Sequence, residues 1–399
     1  MKYFLIAGEA SGDKHAANLM KELRRSDSGA VFCFVGGDEM REVGGVCICH
    51  YEKIAYMGFV SVAIHGGVIL RAMRLCKRVI SRWRPDVVIL VDYPGFNLPV
   101  AKFVHRKLGI PTFYYISPKI WAWKEGRIRM IRKDVSELYS ILPFEVPFYE
   151  QKHGYRIHYV GNPSVDEVED FMLHRKPVRE NFCKENGLSD EPIIALLPGS
   201  RKQEINANLK RMVNAAKEFI GRGYQVVVCG MTTLGETVYS ESLTSDVHLL
   251  WNKTYEVLSL ADVALVTSGT ATLEVALFEV PQVVCYYTRL GRIVRFLKPY
   301  FLKVPYISLV NLIAGREVVS ELIGDRMNPQ QIVSEISLLM GDSAERARQI
   351  KGYEEVRATL GGSGSAAKAA HEMVDRLLKN QEKIDGARGN GDEGAVKTI

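Results

Sequence analysis

The sequence lacks several features that would have settled its chemistry early. It has no Asp-x-Asp triplet, no Walker A loop and no His-Glu-x-x-His. A phosphate site built on a bound metal ion is therefore not called for, and no cofactor is expected. There is no dinucleotide fingerprint either: Gly8-Glu9-Ala10-Ser11-Gly12-Asp13 follows the first strand-like run but does not have the G-x-G-x-x-G spacing. Cysteine is sparse, with seven residues set mostly inside apolar runs such as VFCFV, VVVCG and VVCYY. That is the pattern of reduced, buried thiols, and it argues against a disulfide frame or a zinc site. Only Cys47 and Cys49 are close, and alternate strand positions face opposite sides. Lys2 leads directly into YFLIAG, so no signal peptide is expected and the chain reads as cytosolic. No long membrane span is present: the uncharged run Ile54–Leu70 is short for a bilayer and is broken by Gly66-Gly67.

What is present is an ordinary globular composition, 47% hydrophobic and 25% charged over 399 residues, with a net charge of +6. That length calls for two domains. Strands are expected at Tyr3–Ala7, Val31–Val35, Val46–Cys49, Asp86–Val91, Thr112–Ile116, Glu137–Leu142 and Ile157–Val160, with helical patterns between. After a polar stretch the pattern restarts with Ile193–Leu197, Gln225–Cys229, Val247–Leu250, Val263–Thr267 and Gln282–Tyr286. Runs that are apolar throughout, such as VVILV, suit parallel strands covered on both faces. Two βαβ sets imply an α/β protein of two Rossmann-like, doubly wound domains facing a central cleft, with C-terminal helices. The expected boundaries are 1–165, 166–340, a helical segment 341–380 packing on the N-terminal domain, and a disordered polar tail 381–399.

Chemistry gathers at the turns after strands. Thr267-Ser268-Gly269-Thr270 joins an apolar strand to a helix, and such a junction aims N–H groups and a positive helix end at a phosphate. Glu274, one helical turn further, is placed to accept hydrogen bonds from ribose hydroxyls. The plain alternative is a capped junction with a surface Glu. Leu197-Pro198-Gly199-Ser200-Arg201 offers Arg201 to a phosphate and Ser200 as cap or ligand contact. Asn311, in SLVNLIAGRE, reads either as a base or phosphate contact or as a turn stabiliser. Asp92, in VDYPGFN, ends an apolar strand and reads as a general base or as a helix cap. Trp121 and Trp123, in SPKIWAWK, read as a sugar or acyl pocket or as interdomain packing.

Two stretches bear on lipid. The series Arg71, Arg74, Lys77, Arg78, Arg82 and Arg84 follows the uncharged run at once. In LGRIVRFLKPYFLK, the cations Arg289, Arg292, Arg295, Lys298 and Lys303 interleave with apolar residues. Mixed cations and apolar side chains suit a surface on anionic lipid, or else a buried helix with snorkelling cations. With no recognition motif, no nucleic-acid partner is expected.

AGEASGD, YMGFVSV, VDYPGFN, SPKIWAWKEGR, LPFE, VGNP, LLPGSR, TSGTATLE and SLVNLIAGRE, in this order from about Lys2 to Leu378, resemble the lipid-A-disaccharide synthase family. The resemblance implies an inverting glycosyltransferase of the GT-B type. It would join UDP-2,3-diacylglucosamine to 2,3-diacylglucosamine 1-phosphate through a β-1,6 bond and release UDP, peripherally at the cytoplasmic face of the inner membrane. It puts the essential Asp on Asp92 and an acidic loop on Glu9, Ser11 and Asp13, with Glu9 or Asp13 as alternative bases. Nucleotide contacts fall on Ser200, Arg201, Ser268, Gly269, Thr270, Glu274 and Asn311. A membrane patch falls on Val60, Val62, Ile64, Ile69 and Leu70, where His65-Gly66-Gly67 departs from the family's more charged helix. A homodimer exchanging C-terminal helices is also implied. One rival is a UDP-N-acetylglucosamine epimerase, with a similar two-domain fold but no need of a lipid-facing surface. A second is a membrane-associated nucleotide-binding protein without catalysis, against which the pairing of a phosphate turn with Asp92 argues.

Overall fold

The computed structural model describes residues 1–54, 59–287 and 305–392. The chain forms two compact units, Met1–Pro163 with the segment from Gly364 onward, and Ser164–Ser363.

In the first unit the strands are β1 (Lys2–Ala7), β2 (Val31–Gly36), β3 (Val46–His50), β4 (Val87–Val91), β5 (Thr112–Tyr115), β6 (Glu137–Ser140) and β7 (His158–Tyr159). They pair in parallel in the order β3-β2-β1-β4-β5-β6-β7. All five residues of β4 are buried, as a strand covered on both faces requires. Helix α1 (Ala10–Ser26) buries Ala16, Ala17, Leu19, Met20 and Leu23 on one face of the sheet. The opposite face is covered by Ala72, Cys76 and Ile80 of α2 (Phe59–Trp83) and by Val100 and Ala101 of α3 (Pro94–Phe103). The strand order reverses between β1 and β4, where Ala7 lies beside Val91. Loops leaving the two carboxyl ends diverge there and open a crevice.

The second unit repeats the plan with β8 (Ile193–Leu197), β9 (Gln225–Gly230), β10 (Val247–Trp251), β11 (Ala261–Val266), β12 (Gln282–Tyr286) and β13 (Ser320–Ile323), ordered β10-β9-β8-β11-β12-β13. Its switch point lies between β8 and β11, where Leu197 pairs with Val266. Helix α4 (Lys202–Ala216) follows β8, α5 (Thr270–Leu277) follows β11, and α6 (Leu309–Ala314) precedes β13.

Three expectations need correction. Strand β13 is a strand the sequence reading lacks, because SELI is short and half polar, and among the described residues it pairs with β12 alone. The helices of 341–380 do not all pack on the N-terminal domain. Helix α7 (Ala344–Leu360) belongs to the second unit, where buried Gln349 accepts from the Gln282 N–H at 2.7 Å and donates to its carbonyl at 3.2 Å. Only α8 (Ser365–Asp392) packs on α1, through Ala369, Ala370, Met373, Val374 and Leu377. The break lies at Gly361 and Gly364, whose φ of 79° and 97° no helix accommodates. Finally, α8 continues to Asp392, into the tail expected to be disordered; residues 393–399 lie outside the described residues. Once its first turns are docked, each added residue gains a hydrogen bond without new nucleation.

Candidate active site

In the first unit, the loops after β1 and β4 leave the switch point side by side. Asp92 and Tyr93 both adopt the left-handed conformation, with φ of 41° and 45°. For non-glycine residues this costs on the order of 1–3 kcal/mol each, so the surroundings must hold it. The Asp92 carbonyl accepts from the Asn97 Nδ2 at 2.7 Å and from the Tyr114 hydroxyl, and the Asp92 N–H donates to the Tyr115 carbonyl at 3.1 Å. The Asn97 Nδ2 also reaches the Val91 carbonyl. Gly8 lies directly beneath the Tyr93 ring: a Cβ there would stand 2.3 Å from the ring. This is why the first turn carries glycine at that position. Desolvation raises the Asp92 carboxyl to about 6, Lys119 opposes the rise, Glu9 adds to it and the Tyr93 N–H opposes it. A half-buried carboxylate with a proton affinity near neutrality suits a general base.

The acidic loop divides. Glu9 adds to the rise of the Asp92 carboxyl and accepts from the Ser11 Oγ at 3.0 Å. Asp13 is different: it is buried, and its carboxylate accepts the N–H groups of Gly37 and Glu39 at the start of the helix Asp38–Val43. With its oxygens held by backbone donors, Asp13 is a clamp on the turn after β2 and not a base.

The loop after β5 carries SPKIWAWK. Trp121 is buried, edge-on to Phe144 with ring centroids 4.9 Å apart. Its Nε1 donates to Glu145 at 2.7 Å, and the hydroxyls of Ser117 and Ser140 donate to the same carboxylate. Burial pushes Glu145 up to about 7 against those three donors and Lys119. Trp123 is 50% exposed, beneath the Lys124 ammonium. Lys119 is exposed while its neighbours in the loop are buried.

In the second unit, two turns meet at the switch point. Gly199 stands at φ 125° with its Cα against Glu204, and that carboxylate accepts from the Ser200 N–H and from the Arg201 Nη1, each at 3.1 Å. The turn is thus bent back on the first turn of α4 with the Arg201 side chain 59% exposed. An exposed pair of this kind is worth little, so the guanidinium is readily turned to a stronger anion. After β11, Gly269 stands at φ 136° as the N-cap of α5, with open space beside it. Ser268 donates to the Ile307 carbonyl at 2.9 Å. Thr270 is exposed at the head of the helix, where first-turn N–H groups have no partner within the helix. Glu274 is half-buried and accepts from the Tyr255 hydroxyl at 2.9 Å.

Sequence reasoning missed the residue that ties these turns together. Buried Asn208 donates to the Pro198 carbonyl and to the Thr267 hydroxyl, and accepts from the Tyr287 N–H. An Asn inside a helix carries no local signal of that role. Asn311 must leave the set of nucleotide contacts. Its Nδ2 donates to the Val319 carbonyl and to Glu321, and its Oδ1 accepts from the N–H groups of Val318 and Val319. Both hydrogens and both lone pairs are committed inside the unit.

Of the expected membrane residues, the side chains of Val60, Val62 and Ile64 lie outside the described residues, as does the whole of 288–304 with its five cations. Ile69 is half-buried and packs on the core of the first unit, in helical register with Met73, Cys76 and Ile80. Leu70 is 51% exposed. On the outward face of α2, Arg71, Arg74, Arg78 and Arg82 are all exposed. Among the described residues no helix is long and apolar enough to cross a membrane, and no cluster of three His, Cys, Asp or Glu could hold a metal ion.

A family model described as Lipid-A-disaccharide synthetase matches residues 3–374. A lipid-A-disaccharide synthase of Myxococcus xanthus is 38% identical over 386 residues, covering 94% of this chain and 97% of that one. One from Geobacter metallireducens is 34% identical over 386 residues, covering 95% and 98%. Among solved structures, a UDP-N-acetylglucosamine 2-epimerase of Listeria monocytogenes superposes with a TM-score of 0.65 at 14% identity, covering 96% of this chain and 97% of that one. The calicheamicin glycosyltransferase CalG4 does so with a TM-score of 0.59 at 16% identity, covering 94% and 98%. At such identities these structures show the fold alone, which is that of GT-B glycosyltransferases and epimerases.

Proposed function

The chain belongs to the lipid-A-disaccharide synthetase family, and from that membership we infer that it is a UDP-sugar glycosyltransferase of lipid A synthesis. It condenses UDP-2,3-diacylglucosamine with 2,3-diacylglucosamine 1-phosphate, giving the β-1,6-linked disaccharide 1-phosphate and UDP. The observation that carries the reading within this family is the strained, half-buried Asp92 at the switch point of the first unit, with its affinity for a proton raised to about 6.

The reaction is a single displacement. Asp92 takes the proton of the acceptor's 6-hydroxyl as that oxygen attacks the anomeric carbon. The bond from that carbon to the UDP oxygen breaks on the opposite face, so configuration inverts and no sugar–enzyme bond forms. The departing diphosphate is held by the N-terminus of α5 at Ser268, Gly269 and Thr270, and by Ser200 and Arg201, while Glu274 receives the ribose. Glu9 and Ser11 stand beside the base.

We place the protein at the cytoplasmic face of the inner membrane as a peripheral enzyme. Leu70 and the four exposed arginines of α2 support that, at about 1 kcal/mol per cation near an anionic surface. A homodimer would exchange the apolar face by which α8 packs on α1.

The test is release of UDP from the two acylated glucosamine substrates, with and without a chelator, in the presence of anionic or neutral vesicles. Turnover that needs both sugars and survives chelation supports the reading. Turnover lost on chelation contradicts the metal-free leaving-group site. Conversion of UDP-N-acetylglucosamine alone points to an epimerase.

A further inference from the structure

Among the described residues no cation is hydrogen-bonded to the Glu145 carboxylate, yet it is 1% exposed and collects three donors, two from the loop after β5 and one from the end of β6. Two of them, Ser117 and Trp121, bracket Lys119. The third, Ser140, ends β6 and also accepts the N–H of Leu142, so the clamp is anchored on the sheet. The loop so held leaves β5, the strand that pairs with β4: Tyr115 lies beside Val91 and its carbonyl accepts the Asp92 N–H. Ser117, Pro118 and Ile120 are buried and Lys119 alone among them is exposed. A carboxylate buried to this extent is costly to retain. Its position explains why it is there.

We propose that Glu145 is a positioning residue that clamps the Ser117–Trp121 loop so that the Lys119 ammonium faces the Asp92 carboxylate. The proposal rests on the reading of Asp92 as the base. The groups whose charge or hydrogen bond acts on the Asp92 carboxyl are Lys119 from the β5 loop, Glu9 from the β1 loop and the N–H of Tyr93, while the Tyr114 hydroxyl bonds the Asp92 carbonyl. Lys119 is the one cation in that set. It holds the base ionised against burial and against Glu9. When the base takes its proton, the ammonium is left facing the carboxylate that re-forms for the next turnover.

The sign of a pH shift separates this from a role in stability alone. Removing the Glu145 carboxyl with the loop unmoved would leave the acid limb of the kcat–pH profile in place or move it down, since burial already raises that carboxyl to about 7. Loosening the clamp withdraws Lys119 and moves the limb up. The full-length protein is assayed by UDP release across pH, as wild type and as K119M, E145A, E145Q, K119M/E145A and D92N. Thermal unfolding and UDP binding report whether each variant is folded. The expected result is an upward move of about half a pH unit for K119M, a move in the same direction for E145A and a smaller one for E145Q. The double variant should move no further than the larger single, because both act through one ammonium. An acid limb that stays in place or moves down in folded E145Q, or a double variant that adds the two shifts, overturns the proposal. If E145A does not fold, E145Q decides. Should D92N retain turnover, the base reading fails, an outcome read independently of the Glu145 variants.

Discussion

Replacing Asp92 by Asn should inactivate the enzyme and stabilise its fold, and the two effects have one cause. The carboxyl rises from 3.8 to about 6 on folding. About two pH units correspond to about 3 kcal/mol of folding free energy lost at pH 8 to keep that group ionised. Water still reaches part of this side chain, so a discounted gain of roughly 1–2 kcal/mol is expected on removing the charge. For units of roughly 150–250 residues, that is a rise in Tm of about 2–8 °C. The pH dependence follows in sign. A carboxyl whose folded value is raised costs nothing well below 3.8, at about pH 3 and under, where both states are protonated. The cost grows as pH climbs from 3.8 to about 6 and is complete above that. The Tm difference between D92N and wild type should therefore be full at pH 8, about half as large at pH 5, and small at pH 4. In the same variant, UDP release should fall by about 10²–10⁴-fold while UDP binding by calorimetry is kept. Near-normal turnover would sink the assignment of the base. A Tm gain that is absent, or equal at every pH, would refute the argument from burial.

Gly8→Ala should cut kcat at least about tenfold with UDP affinity unchanged, because the new methyl must displace the Tyr93 ring next to the base; wild-type kcat in that variant would refute the packing argument. Arg201→Ala should weaken UDP binding by roughly 10–100-fold, the worth of one charge-assisted contact, with Tm little changed because its pair with Glu204 is exposed. Calorimetry and a melt on the same sample check both halves. Asn311→Ala removes four buried hydrogen bonds and should lower stability by about 2–4 kcal/mol. A selective loss of UDP affinity at unchanged Tm would restore Asn311 to the ligand site.

Much of the architecture was legible in the order of residues. Uninterrupted apolar runs mark parallel strands covered on both faces, as in β4, and twelve of the thirteen strands among the described residues overlap strands expected from the sequence. Glycines at Gly8, Gly199 and Gly269 mark the turns at both switch points, since a Cβ at Gly8 would meet a ring and the other two take positive φ. The missed strand, β13, has too few apolar residues for the same signal to exist. Helix α7 could be seen as a helix but not assigned to a unit, because its attachment runs through Gln349 to Gln282, 67 residues away.

The sequence by itself determined the element types, the two doubly wound units, the family and the place of Asp92 at a strand's carboxyl end, because those depend on local spacing and on motif order. Tertiary structure alone decided what each polar side chain has left to offer a ligand. Asp13 is committed to an N–H 24 residues on, Asn208 reaches Thr267 across 59 residues, and Glu145 gathers Ser117 across 28. Asn311 is filled by Val318, Val319 and Glu321. A carboxylate or amide has a fixed number of hydrogen-bonding positions, and no spacing along the chain records which of them folding has already taken.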